Sequence, residues 1–159
     1  MLFPPALMPH PSSLPRICIA LGFPDAQKLL EHARREVNAG ESFFEVRLDY
    51  LPAPEQGIAV IRKFLAAHAD CCILATCRRH QNHGKFNGSV EDQVRVLDAA
   101  LDAGSRAVDI EIESAENAIP RLEGLRSKGQ LVLSYHNYDG TPSPEAVLRR
   151  MLRIPADGY

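Results

Sequence analysis

Short apolar runs alternate along this chain with longer stretches in which apolar positions recur three and four residues apart. Ile17-Cys18-Ile19-Ala20-Leu21 has the continuity of a buried strand, and the stretch from Asp25 to Asn38 has helical periodicity that Gly40 ends. A second strand is predicted over Ser42 to Leu48. The helix after it, Pro54 to His68, sets Ile58, Ile61, Phe64 and Leu65 on one face. Cys71 to Thr76 reads as a third strand. Its helix starts at Ser89, where Ser89-Val90-Glu91-Asp92 has the form of a capping box, and reaches Asp102 before Gly104. Arg106 to Ile112 is the fourth strand, followed by a helix capped by Ser114 that runs to Ser127 and is kinked or restarted at Pro120. Leu131 to His136 is the fifth strand, and Ser143-Pro144-Glu145 opens a fifth helix. A further strand is expected to begin at Ala156-Asp157-Gly158-Tyr159.

Near-continuous apolar strands joined by helical crossovers imply a parallel sheet covered by helices. An open doubly wound sheet would carry a glycine-rich phosphate loop after its first strand, and Leu21-Gly22-Phe23-Pro24-Asp25 holds neither G-x-G-x-x-G nor a P-loop. A (β/α)8 TIM barrel spreads polar residues over several strand ends, as here, but needs roughly 250 residues. The expectation is an incomplete barrel of about five βα units over 16–159, behind a disordered Pro-rich leader at 1–15. Cut from a barrel, such a sheet exposes two strand edges and an apolar interior.

Composition narrows the function. The chain has 159 residues, 45% of them hydrophobic, and a formal charge of -2 with acids and bases interspersed. That balance offers no basic face for nucleic acid. No apolar run reaches the roughly 18 residues of a membrane span, and the leader lacks the basic start and continuous apolar block of a secretory signal. Four cysteines, Cys18, Cys71, Cys72 and Cys77, fall in or beside strands as small hydrophobes, which suits a reducing cytoplasm. Cys72, Cys77, His80 and His83 are of metal-binding type, but their spacing matches no common finger or ribbon, and no metal is expected.

Polar residues gather at the predicted strand ends. Glu45 and Arg47, two apart, share one face of the second strand while Val46 and Leu48 take the other. Arg78 follows the third strand and His136 ends the fifth. In a parallel barrel all these ends lie on one side. An imidazole there, titrating near neutrality, can take and return a proton. The plainer readings are an ion pair between Glu45 and Arg47, a core histidine, and surface arginines at Arg78 and above all Arg79. Asp109, Glu111 and Glu113 alternate on the fourth strand, and an acidic face needs cations or solvent, with Arg47 or Arg78 as available partners. The segment from Arg78 to Ser89 has the composition of a mobile active-site loop.

Glu45-Val46-Arg47-Leu48-Asp49, Thr76-Cys77-Arg78-Arg79, Gly84-Lys85-Phe86-Asn87-Gly88-Ser89, Val108-Asp109-Ile110-Glu111 and Ser134-Tyr135-His136-Asn137-Tyr138 with Thr141-Pro142 together resemble type I 3-dehydroquinate dehydratase in order and spacing. The resemblance runs from about Ile17 to Tyr159. It implies a barrel lyase of the shikimate pathway that dehydrates 3-dehydroquinate to 3-dehydroshikimate without metal or organic cofactor. It further implies a lysine on the sixth strand that forms an imine with the substrate, His136 as the proton-moving residue, and Glu45, Arg47 and Arg78 on the substrate hydroxyls.

Two departures stand out against that family. Asn82 occupies the position of a family glutamate, with His83 and Gly84 where two glycines are usual. The imine-forming lysine would be the residue after Tyr159, so the chain is expected to be truncated and inactive alone. Lys28, Lys63 and Lys128 fall away from the rim, and Lys85 lies in the loop. Two further readings remain open: a non-catalytic remnant that binds a small polyol acid or a partner, and another imine-forming barrel such as an aldolase. A homodimer is allowed.

Overall fold

The structure, a computed structural model, describes residues 15–158. The expected leader therefore lies, apart from Pro15, outside the described residues, as does Tyr159. Strands β1 (Ile19–Leu21), β2 (Phe43–Arg47), β3 (Cys72–Thr76), β4 (Ala107–Glu111) and β5 (Gln130–Ser134) form one sheet in that spatial order, every neighbouring pair parallel. Strictly sequential order has no reversal point, which separates a barrel wall from a doubly wound sheet. The chain is five units of a (β/α)8 barrel.

Helices α1 (Ala26–Asn38), α2 (Pro54–Ala67), α3 (Val90–Asp102), α4 (Ile112–Ala115), α5 (Ile119–Arg126) and α6 (Pro144–Met151) make the connections and cover one face. Local signals set most of their ends. The Asp25 carboxylate accepts the Lys28 N–H at 2.7 Å. Ser89 and Asp92 form the reciprocal box, with Asp92 N–H to Ser89 Oγ at 3.1 Å and Ser89 N–H to Asp92 Oδ2 at 2.9 Å. Gly40 and Gly104 follow α1 and α3 with φ of 98° and 106°, a left-handed conformation that only glycine takes without strain.

Side chains alternate across the sheet as the pleat requires. On the helix side Phe44, Val46, Ile73, Ala75, Val108, Ile110, Leu131 and Leu133 are all buried. They meet Leu29, Ile61, Phe64, Leu97, Leu122 and Leu125 in a single core, with Phe44 and Phe64 edge to face at 5.6 Å.

Three local expectations are corrected. Ser114 does not cap the fourth long helix: it is buried inside the short α4, and α5 begins afresh with Pro120 in its first turn, where a missing N–H costs nothing. Glu113 is not on the strand, because β4 ends at Glu111 and α4 begins at Ile112. Likewise β5 ends at Ser134, so His136 sits two residues beyond it. At the far edge the backbone of residues 156–158 already adds to β5. Val132 pairs in parallel with Gly158, and the Leu133 N–H donates to Gly158 O at 2.9 Å. Among the described residues no helix is long and apolar enough to cross a membrane.

Candidate active site

Register across the sheet and the turns just beyond the strands together decide which charges meet at the rim. Glu45 and Arg47 do share a face, but they are not a pair. Residues two apart on a strand stand roughly 6.6 Å from each other, whereas the 3-10 turn Leu48–Tyr50 folds Asp49 back beneath the guanidinium. Arg47 Nε and Nη2 donate to Asp49 Oδ1 and Oδ2 at 2.9 and 2.8 Å, a two-pronged bond that fixes the fork. Asp49, fully enclosed, also accepts the Lys85 N–H at 3.1 Å and so ties the loop after β3 to the end of β2. The Tyr50 ring lies under both cations, 4.8 Å from Arg47 Cζ and 3.9 Å from Lys85 Nζ. Glu45 has no ion pair among the described residues; its carboxylate is felt by Arg47, Asp109 and His136.

Arg78 stands two residues past β3. The register Thr76 to Asp109 brings it level with Glu111, and Nε lies 3.3 Å from Glu111 Oε1 while Nη2 lies 3.7 Å from Asp109 Oδ2. Arg78 is therefore the cation of the acidic β4 face, not a loose surface residue. Ser134, opposite Glu111 on β5, donates its hydroxyl to Asp109 Oδ2 at 3.1 Å. Burial, reinforced by the like charge of Glu111, pushes the Asp109 carboxyl up to about 7; Ser134 and Arg78 pull it back. Burial raises Glu111 too, against the hydrogen bond from Gln93 and the charge of Arg78.

His136 is half-buried, and its Nδ1 is enclosed with no hydrogen-bond partner. Burial first, then the Arg78 and Arg47 guanidiniums, hold the imidazole below its ordinary value, while Glu113 and Glu45 oppose them. Side chains from β2, the end of β3 and α4 thus act on one ring, which itself lies just past β5. Their charges are all felt at the imidazole, which marks a candidate cup at the carboxyl ends of the strands.

The segment from Arg78 to Ser89 is built and not merely solvated. Arg79 bridges to Phe86 and its Nε donates to Gly88 O at 3.2 Å, so it is no free surface arginine. A Cβ at Gly84 would fall 2.0 Å from Arg78 O, which reserves that position for glycine. Asn82 Nδ2 donates to Glu113 Oε2 at 3.0 Å, and Arg150 Nη1 reaches Glu113 Oε1 at 3.2 Å. His83 turns left-handed, φ 62°, and sets its ring 4.4 Å from Tyr138, which is itself stacked 6.3 Å from His136.

Lys28 and Lys63 lie on α1 and α2, and Lys128 is held by Asp98 and Asp102 at 2.8 Å each. The four cysteines are free thiols, Cys77 buried in the core, and among the described residues no three His, Cys, Asp or Glu side chains are grouped to hold a metal. Sequence reasoning missed Asp49 as the partner of Arg47 and missed Gln93 altogether. The signal for Gln93 was present: an amide one turn before Leu97 on the apolar face of α3, where only a satisfied polar group belongs.

The sequence model of the type I 3-dehydroquinase family matches residues 17–158. The 3-dehydroquinate dehydratase of Dehalococcoides mccartyi is 32% identical over 148 residues, covering 91% of this chain and 60% of that protein. That of Methanothermobacter thermautotrophicus is 36% identical over 134 residues, 84% of this chain and 58% of the relative. Among solved structures, 3-dehydroquinate dehydratase from Geobacillus kaustophilus superposes with a TM-score of 0.77 at 24% identity, covering 88% of this chain and 58% of the other. The type I enzyme from Clostridium difficile gives 0.76 at 17%, with 86% and 56% covered. This chain spans about 60% of the length of the curated relatives it matches. With the family model matched from β1 to the residues that extend β5, and with the parallel strands wound in barrel order, the chain belongs to the type I 3-dehydroquinase family.

Proposed function

We propose that this chain supplies the wall from β1 to β5 of a site that dehydrates 3-dehydroquinate to 3-dehydroshikimate, a lyase step of the shikimate pathway. His136 carries the reading, because its enclosed, unpartnered Nδ1 stands in the field of two guanidiniums and two carboxylates. In the reaction a lysine amine condenses with the substrate ketone and releases water. The protonated imine acidifies the neighbouring C–H, and His136, neutral near pH 7 because its pKa is held down, takes that proton. The electron pair left on carbon then expels the hydroxyl, which leaves as water with the proton returned by His136. Hydrolysis of the imine frees product and amine. Glu45, Arg47 and Arg78 hold the substrate hydroxyls, the two guanidiniums as pre-set donors because Asp49 and the Asp109–Glu111 pair already fix them.

The amine comes from outside residues 15–158 in this reading. Its support is the share of the relatives' length covered here and the placement of Lys28, Lys63 and Lys128 away from the cup. No cofactor is required. The setting is cytoplasmic, the described residues act as one partial barrel, and assembly as a homodimer is compatible with it.

The test is calorimetric titration of this chain with 3-dehydroquinate, with borohydride trapping followed by intact mass. Saturable binding is expected, weakened about tenfold or more by Arg78→Met through loss of a charge-assisted contact, with no trapped adduct on this chain. The same rim in a polypeptide carrying the remaining strands should trap an adduct and turn over, and His136→Ala should remove turnover there. No binding, or turnover unchanged by His136→Ala, would overturn the reading. Binding by the longer polypeptide without any turnover would favour a binding module, for which the pre-set guanidiniums suffice.

A further inference from the structure

We propose that Gln93, on the helix layer behind the sheet, is a positioning residue of the rim: its amide clamps the Glu111 carboxylate to the backbone and so fixes the Arg78 guanidinium. The inference rests on the reading of Arg78 as a substrate-holding residue. Gln93 is fully buried on α3, and its Nε2 donates both to Cys77 O at 2.9 Å and to Glu111 Oε2 at 2.8 Å. Both neighbours are pure acceptors, so the amide has one workable orientation; turned over, its oxygen would face a carbonyl and a carboxylate. That orientation leaves Oε1 enclosed without a partner. Leaving an acceptor unmade is costly, and it is tolerated here for two donated bonds, one of them to an ion.

The geometry transmits. Cys77 is the residue before Arg78, so the same amide grips the backbone that launches the guanidinium and the carboxylate that receives it. Glu111 Oε2 is taken by Gln93, which leaves Oε1 turned to Arg78 Nε at 3.3 Å. That contact is close in charge but not aligned as a hydrogen bond, so the orientation of Arg78 depends on where Glu111 is held. A carboxylate free to rotate could not fix the fork.

The charged groups facing Glu111 are Arg78 from the end of β3, Asp109 from β4 itself and Asp49 from the turn after β2; α3 contributes Gln93. Burial and the two acids favour the neutral carboxyl, whereas Gln93 and Arg78 favour the ion. Removing the Gln93 donor therefore raises the pH at which Glu111 takes a proton, and Arg78 loses its anchor first under acidic conditions.

Two readouts on the full chain test this. Carbon-13 NMR follows the Glu111 side-chain carboxyl through a pH titration, and calorimetry measures 3-dehydroquinate binding across the same range. In Gln93→Met, Glu111 is expected to titrate at higher pH, and affinity is expected to fall about tenfold, the worth of one hydrogen bond to an ion, with a larger loss at low pH. In a Glu111→Gln background the same change should cost little more. Gln93→Asn, which retracts the amide by one carbon and keeps the site polar, should move both readouts the same way by less, and it serves should Gln93→Met not fold. An unmoved Glu111 titration would overturn the proposal. So would an affinity loss equal at every pH and equal in the Glu111→Gln background, the mark of a merely structural residue. Should no variant, nor the parent, bind 3-dehydroquinate, the functional reading fails while the Glu111 titration still decides the coupling.

Discussion

The two faces of the same five strands obey different physics. On the helix side every second residue, from Phe44 to Leu133, is buried among apolar neighbours. On the other, Phe43, Glu45, Arg47, Leu74, Gln130, Val132 and Ser134 are only partly covered, while Asp109 and Glu111 are buried among charges. The first face is fixed by area removed from water and accepts any well-shaped apolar set. The second is fixed by partners, since each enclosed charge must find a counter-charge or a donor. Apolar packing is concentrated on one side and enclosed charge on the other.

The sharpest way to break this contrast is a matched pair of substitutions. Phe44→Ala should cost about 3–5 kcal/mol, the loss of a fully packed aromatic side chain, and Val132→Thr on the inner face should stay within about 1 kcal/mol. Urea unfolding of both variants would measure it; similar costs would mean that the inner face is packed like the outer one. Next in size is Arg78→Met, which leaves Asp109 and Glu111 without their cation. It should cost about 2–3 kcal/mol at pH 8 and less at pH 5, where Asp109 with its pKa near 7 is already neutral. A cost independent of pH would show that Arg78 matters by packing and not by charge.

The smallest effect isolates Asp109. Its pKa stands at about 7 against an ordinary 3.8, so the folded state holds a proton that the unfolded chain gives up. The stability this lends is fully present below about pH 4 and is lost as the pH rises through about 7. Asp109→Asn removes that titration, so the melting temperature of the variant should vary less than the parent's across this window. Parallel curves for variant and parent would mean that the carboxyl is ionised throughout.

These expectations show what was legible beforehand and what was not. The alternation of strands and helices, the capping box at Ser89, the helix ends at Gly40 and Gly104, and the shared face of Glu45 and Arg47 all rest on interactions within a few residues, and each is found in the structure. The errors fell where a local signal had competitors. Ser114 has a capping side chain but lies in a buried turn, and Glu113 continues the strand's alternation only on paper, because α4 begins one residue before it. The candidate residues could be nominated from strand ends and from resemblance, and Arg78 as a partner of the acidic β4 face from charge balance; Asp49 and Gln93 as partners could not.

Periodicity, the Ser89 capping box and family membership were thus determined by the sequence alone, since a pleat or a helical turn repeats over distances the chain itself measures. The pairing of charges was decided only by the folded molecule. Arg47 turned to Asp49 instead of Glu45, Arg78 reached across to β4, Asn82 took Glu113 from 31 residues away, and Gln93 entered the network through the back of the sheet. The reach of Arg78 to β4 depends on strand register to within one residue, because a slip of one sends every side chain to the opposite face, whereas the others depend on how the turns, loops and helices beyond the strands fold back.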